Sequence, residues 1–305
     1  MKLVIQIPCH NEEATLPATL EDLPREVEGF DEVEILVIDD GSTDRTAEVA
    51  LRHGVGHLVR LSARQGLARA FAAGIDEALE LGADVIVNTD GDNQYDGGAV
   101  EPLVRPILEG RADMVVGERW GEGVEEFSPV KKGLQKLGSW VVSKVSGLDV
   151  GDAASGFRAF SREVAQVLEV RDRFTYTLET LIQAGAQGVK VSTVPVRTNP
   201  KTRESRLCPS MWRYVARSAG TVLRAHARHR PGRTAVGLLL LGLAAGRLSR
   251  SVPVPDAMGG PLVGLLCLLL SRPCALWTNV LLGHRKRMLW RAETSRVEAF
   301  TPPGP

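Results

Sequence analysis

Only four of the 305 residues are cysteine (Cys9, Cys208, Cys267 and Cys274), and no two of them have the Cys-x-x-Cys spacing of a zinc ribbon. So few scattered thiols exclude a disulfide-stapled scaffold, and their placement fits reduced, structural groups in a cytosolic compartment. There is no GxxxxGK[ST] loop and no GxGxxG after a strand, which removes the P-loop ATPase, kinase and dinucleotide dehydrogenase readings. A secretory leader is also missing. The apolar run Leu3-Val4-Ile5-Gln6-Ile7 behind Lys2 is too short and has no cleavage pattern, so the first domain is expected to stay in the cytoplasm. The histidines form no metal set or triad. No uninterrupted apolar run reaches the roughly 20 residues that a membrane-spanning helix needs. Net charge is absent as well, with 37 Lys+Arg against 37 Asp+Glu, while a hydrophobic content of 44% rules out disorder throughout.

The zero hides a division. Residues 1–196 hold 19 basic and 33 acidic side chains, a net of −14, and residues 197–305 hold 18 basic and 4 acidic, a net of +14. An acidic domain is thus joined to a segment suited to anions, such as phosphates or a membrane surface, and nothing points to nucleic acid as a partner.

Within residues 1–117, short β-branched runs at 3–8, 34–39, 57–61, 84–89 and 113–116 alternate with helix-period segments at about 14–23, 44–53, 66–82 and 99–109. The pattern predicts a βαβ series, and nearly all-apolar strands such as Ile35-Leu36-Val37-Ile38 predict a mainly parallel sheet buried on both faces. Residues 118–157 are less regular, containing a basic helix over 131–146 and a Gly-rich turn. A helix at 173–186 and a strand at 189–196 complete the domain. Beyond it, 197–233 carries ten basic residues against Glu204, then come apolar runs of 13 residues (234–246) and 14 (257–270), and a further apolar piece at 275–283. If Arg247 snorkels and the second helix tolerates Arg272 and Pro273, these runs form a two-helix membrane hairpin with both ends on the cytosolic side. A pair of amphipathic or buried helices is the other reading. The expected divisions are 1–207 for the catalytic domain, 208–233 for a basic juxtamembrane helix, 234–283 for the hairpin and 284–305 for a basic tail.

In open α/β sheets, ligands gather beyond the carboxyl ends of the strands. Three polar clusters fall there: Pro8-Cys9-His10-Asn11-Glu12-Glu13, Asp39-Asp40, and Asp90-Gly91-Asp92-Asn93. Two carboxylates one residue apart at a strand end suit a hard divalent cation that bridges nucleotide phosphates.

Together with Asp39-Asp40-Gly41-Ser42-Thr43-Asp44 and the Gly66-Leu67-Ala68 helix opening, these clusters resemble the nucleotide-sugar domain of family 2 glycosyltransferases, of GT-A fold, over about residues 1–200. The runs 88–95, Ser155-Gly156-Phe157-Arg158 and 199–207 are similar to the polyprenyl-phosphate (dolichol-phosphate mannose synthase-like) branch. The QxxRW signature associated with processive synthases is absent. The resemblance implies an α/β GT-A catalytic domain with a helical tail, and an inverting transfer of a hexose from a nucleoside diphosphate sugar to a polyprenyl phosphate at the membrane. It implies that Pro8, Asn11, Glu12, Asp39 and Asp40 line the base and ribose pocket, and that Asp90 and Asp92, with Gln94 as a third ligand, meet Mg²⁺ or Mn²⁺ and the diphosphate. Arg119, Arg158, Lys201, Arg203 and Arg206 suit the acceptor phosphate, because arginine forks grip phosphate oxygens. Docking of the basic tract on anionic lipid is an alternative for these charges. Asp152 stands where the family places an acidic residue near the acceptor, as a base, as an orienter of Arg158 or as a turn aspartate. Glu179 is a lesser acidic candidate, and Arg64 a lesser candidate for the donor phosphate. Two other functions stay open: transfer to a glycan, glycolipid or small-molecule hydroxyl, and non-catalytic nucleotide-sugar binding. The sequence leaves the oligomeric state undetermined.

Overall fold

A computed structural model describes residues 1–120, 129–172, 174–200, 211–232 and 234. The expected membrane hairpin and basic tail, and Lys201, Arg203 and Arg206, lie outside these residues. Among the described residues, no helix is long and apolar enough to cross a membrane.

The first strand, β1 (Lys2–Cys9), shows why the chain folds around it: every residue after Lys2 is buried. Leu3, Ile5, Ile7 and Cys9 belong to one continuous apolar cluster, while Val4 and Gln6 are equally buried on the opposite face. A strand apolar on both sides must be covered on both sides. Parallel partners flank it, β2 (Glu32–Asp39) in the register Ile5↔Ile35 and β4 (Val85–Asn88) in the register Ile5↔Val87. The crossovers carry α1 (Leu16–Asp22), α2 (Thr46–Arg52) and α3 (Leu67–Glu80), with β3 (His57–Arg60) pairing parallel to β2. After α4 (Val100–Leu108) come β5 (Met114–Trp120), α5 (Pro129–Ser146), β6 (Arg158–Ser161), α6 (Arg162–Val167), α7 (Thr177–Gln187) and β7 (Val191–Arg197). The seven strands form one sheet in the order β3-β2-β1-β4-β6-β5-β7.

The predicted alternation through β5 is present, within a few residues at each boundary. The Gly-rich turn expected to run through 157 is followed by something the periodicity does not reveal: β6, four buried residues antiparallel to both β4 and β5. It pairs Arg158 with Asn88 on one side and with Val116 on the other. Because it runs backwards, its beginning lies where its neighbours end, and the loop that precedes it reaches the carboxyl edge of the sheet.

The described residues fall into two compact units, the first running to Leu223 and the second beginning at Arg224. The last described helix, α8 (Met211–His229), has no acidic residue in its first turn and His226, Arg228 and His229 in its last, which suits its dipole.

Candidate active site

The three acidic strand ends lie at the carboxyl edge of neighbouring strands β2, β1 and β4, in that order. The loop after β1 is locked to the loop after β2. Asn11 donates its amide to Ser42 Oγ (2.9 Å) and accepts the Thr43 amide at Oδ1 (2.8 Å), while the Glu12 amide donates to Thr46 Oγ1 (2.8 Å). Asn11 takes φ +57°, a left-handed conformation that asparagine tolerates. Asp39 is fully buried; its Oδ1 accepts the Ser42 amide and its Oδ2 lies 3.2 Å from Arg60 Nε. Asp40 accepts the amides of Gln65 (2.6 Å) and Gly66 (2.8 Å), one on each carboxylate oxygen, so it fixes the turn that opens α3. Burial pushes its carboxyl above the usual range, and these two amides only partly offset that. Gly41, at φ +63°, lets the same turn close. A Cβ there would stand 2.6 Å from the main chain at Ala63 and Arg64. Arg64 itself is exposed.

Next to this, the Thr15 hydroxyl donates to Glu12 Oε2 (2.8 Å) and sits 2.9 Å from the Gly91 carbonyl, tying the β1 loop to the Asp90-Gly91-Asp92 turn. Cys9 reports the electrostatics here. Burial first, and then Glu12, Asp39, Asp90 and Asp92, raise its thiol well above the ordinary value. Four carboxylates acting on one buried point make a region of negative potential that attracts cations.

The all-oxygen donor set of Asp90 and Asp92 fits a hard divalent cation, and beside it Asn93 Oδ1 is buried without a hydrogen bond. Among the described residues no group of three or more His, Cys, Asp or Glu could hold a metal. Gln94 contributes its carbonyl to the Asn199 amide (2.9 Å), and Asn199 Nδ2 donates to the Asn93 carbonyl (3.1 Å), so the segment after β7 clasps this turn.

The backward β6 supplies the other half of the site. Asn88, the last residue of β4, accepts from Gln6 Nε2 (2.9 Å) and donates to the Gly156 carbonyl (2.9 Å) and to Tyr176 Oη (2.8 Å). The Gly156 amide donates to Tyr95 Oη (3.0 Å), and Tyr95 stacks on Phe157. Burial raises the Tyr95 hydroxyl to about 12, so it remains a neutral donor and acceptor at physiological pH. These contacts bring Gly156 against Asp90: a Cβ on Gly156 would lie 3.0 Å from both Asp90 Oδ1 and Tyr176 Oη. Gly156→Ala must therefore push Asp90 or Tyr176 aside by a fraction of an ångström, and it should lower kcat by about threefold to tenfold, less than the roughly hundredfold of a full 1 Å misplacement. Turnover measured across a Mn²⁺ titration checks this, and wild-type activity at every metal concentration would contradict it.

On the far side, Arg119 at the end of β5 grips Asp152 with both arms, Nε to Oδ2 at 2.6 Å and Nη2 to Oδ1 at 3.0 Å, and Gln135 Nε2 adds a third bond at 3.0 Å. Both side chains are largely buried, at 12% and 7% exposure. Burial alone would raise the Asp152 carboxyl, but Arg119 and Gln135 outweigh it and hold the carboxyl below its usual range. Burial likewise opposes the Arg119 charge, and Tyr95, Asp152 and Asp90 overcome it.

Arg158, expected at the acceptor phosphate, is placed elsewhere. It is fully buried, donating to the carbonyls of Ser155 (2.8 Å), Thr177 (2.7 Å) and Ala153 (2.9 Å) and to Thr180 Oγ1 (2.8 Å). Its fork holds the 153–155 loop to α7, and burial lowers its guanidinium to about 10. Asp152 bonds Arg119 and Gln135 rather than orienting Arg158. Glu179 is also buried and accepts the amides of Arg171 and Asp172, a loop-holding role. Gln135 and Tyr176 carry no local sequence signal for their part here. Asn88 and Gln6 do, as polar residues in otherwise apolar strands.

A sequence profile of glycosyl transferase family 2 matches residues 4–168. An uncharacterised glycosyltransferase of Mycobacterium tuberculosis is 34% identical over 66% of this chain and 86% of that protein. A dolichyl-phosphate hexose transferase of Haloferax volcanii is 28% identical over 68% of this chain and 87% of its own length. Among solved structures, glucosyl-3-phosphoglycerate synthase from M. tuberculosis, in complex with Mn²⁺, uridine diphosphate and glucosyl-3-phosphoglycerate, superposes with a TM-score of 0.55 at 20% identity, covering 75% of this chain and 79% of that one. That likeness shows the GT-A fold.

Proposed function

The chain belongs to glycosyltransferase family 2, and from that premise we propose that it moves a hexose from a nucleoside diphosphate sugar to a polyprenyl phosphate at the membrane, with inversion at the anomeric carbon. The observation that carries the choice of acceptor is the Arg119–Asp152 pair. A hydroxyl acceptor needs a general base poised near neutral pH. Asp152 is instead clamped by Arg119 and Gln135 and held below the carboxylate range, which makes it a weak base. A phosphate monoester arrives already ionised and needs positioning and charge compensation, which an arginine at the edge of the sheet can supply.

In this reading Pro8, Asn11, Glu12, Asp39 and Asp40 shape the pocket for base and ribose, the carboxylates acting as acceptors for ribose hydroxyls or base N–H groups. Asp90 and Asp92, with Gln94 beside them, would hold Mg²⁺ or Mn²⁺. Bound there, the cation neutralises the departing diphosphate. Arg119 faces the acceptor, while Asp152, itself held by Gln135, fixes its guanidinium. Lys201, Arg203 and Arg206 add cationic charge for the lipid phosphate. Arg158 keeps the 153–155 loop in place without touching substrate. The second reading, a small-molecule or glycan hydroxyl acceptor, draws on the fold shared with glucosyl-3-phosphoglycerate synthase, and would require Asp152 to be released from Arg119.

The full chain in membranes, given a panel of labelled nucleotide sugars and polyprenyl phosphate with Mn²⁺ or Mg²⁺, should yield an organic-extractable, acid-labile glycolipid. Label appearing only on water-soluble acceptors would reject the polyprenyl phosphate assignment in favour of the second reading.

A further inference from the structure

We propose that the outer face of α5 docks on an anionic lipid surface and sets the acceptor side of the site against the bilayer. The helix has two faces of different character. Gln135, Ser139, Val142 and Ser146, spaced at helical period, point inward: Gln135 bonds Asp152, Ser139 Oγ accepts the Ala153 amide (3.1 Å), and Val142, Ser139 and Ser146 are buried. Opposite them run Gly133, Lys136, Leu137, Trp140 and Lys144, all exposed. Leu137 is 56% and Trp140 58% exposed, two of the few large apolar side chains left in water. Such residues cost little at a membrane interface, where an indole sits at headgroup level with its N–H solvated.

Charge selects the occupant. Across Pro129–Ser146 there are four lysines and no carboxylate, whereas residues 1–128 carry ten basic against 27 acidic residues, a net of −17. An anionic bilayer repels so acidic a surface and attracts the basic segments, so α5, like the basic tract over 197–233, is drawn toward the lipid. A second copy of the same chain, in an isologous contact, would set the same lysines against this face. The arrangement has a consequence for the site: one helix diameter, about 10 Å, would separate the lipid surface from the Arg119–Asp152 pair on the inner side of α5. This holds whichever acceptor the site takes.

The test uses the full chain reconstituted into phosphatidylcholine vesicles with or without phosphatidylglycerol, and with or without brominated acyl chains. Emission from Trp140 is read as the wild type minus Trp140→Phe. With phosphatidylglycerol, that emission should shift to the blue and be quenched by bromine. It should lose both responses in pure phosphatidylcholine and in the Lys136→Glu/Lys144→Glu variant, whose circular dichroism should match the wild type. Emission indifferent to bromine, or equally quenched with and without anionic lipid, would overturn the proposal. A blue shift that grows with protein concentration in lipid-free micelles would overturn it too, in favour of an interface between copies.

Discussion

Asp92→Asn should lower kcat by about a thousandfold, close to 4 kcal/mol of lost transition-state stabilisation, while leaving the melting temperature essentially unchanged. The substitution keeps the shape of the side chain and removes one negative charge from a turn whose main chain is held by other groups, Thr15 at the Gly91 carbonyl and Asn199 at the Asn93 carbonyl. The loss should therefore fall on metal and diphosphate. Two readouts separate the causes: turnover at saturating Mn²⁺, and Mn²⁺ binding measured by electron paramagnetic resonance in the presence of nucleoside diphosphate. Full activity together with a wild-type Mn²⁺ affinity would remove Asp92 from the cation site, whatever its effect on donor affinity. A large fall in melting temperature would mark the carboxylate as structural.

Arg158→Leu should have the largest effect on stability of any single change in the site region. The guanidinium is wholly inside the protein and donates to three carbonyls and one hydroxyl. Leucine would take this donor from the Ser155 and Ala153 carbonyls, while the Thr177 carbonyl keeps the Thr180 hydroxyl (3.2 Å), at a cost of about 3–5 kcal/mol. For a domain of some 200 residues, that is a fall of roughly 10 °C in melting temperature. Arg158→Lys keeps a cation but not the fork, and its melting temperature should lie between those of the leucine variant and the wild type. If the lysine variant melted like the wild type and showed only a raised KM for the acceptor, Arg158 would belong to the acceptor site and the loop-holding role would be wrong.

Arg158 also shows where reading the sequence reached its limit. An arginine after Ser155-Gly156-Phe157, near an acidic loop and in a chain suited to phosphate chemistry, reads as an anion contact. Nothing local says that the four residues beginning with it form a strand, because a run with arginine at its head and serine at its end lacks the β-branched content that marked β1, β2 and β4. Only pairing with Asn88 on one side and Val116 on the other makes it one. Asp152 is a related case. Its neighbourhood suggested three roles, and the partners that decide among them, Arg119 and Gln135, are 33 and 17 residues away.

The sequence by itself determined the alternation of strands and helices through β5, the two-faced burial of the central strands, the placing of three acidic clusters at strand ends and the division of charge between the two parts of the chain. Those properties are local: side-chain period, turn residues and composition act within a few residues of where they are written. Tertiary structure decided that β6 runs against its neighbours, which puts Gly156 beside Asp90, buries Arg158 and couples Arg119 to Asp152. The physical reason is that strand direction and ion-pair partnership are settled by contacts far apart in sequence, where filling a buried polar site with matching donors and acceptors outweighs any local preference.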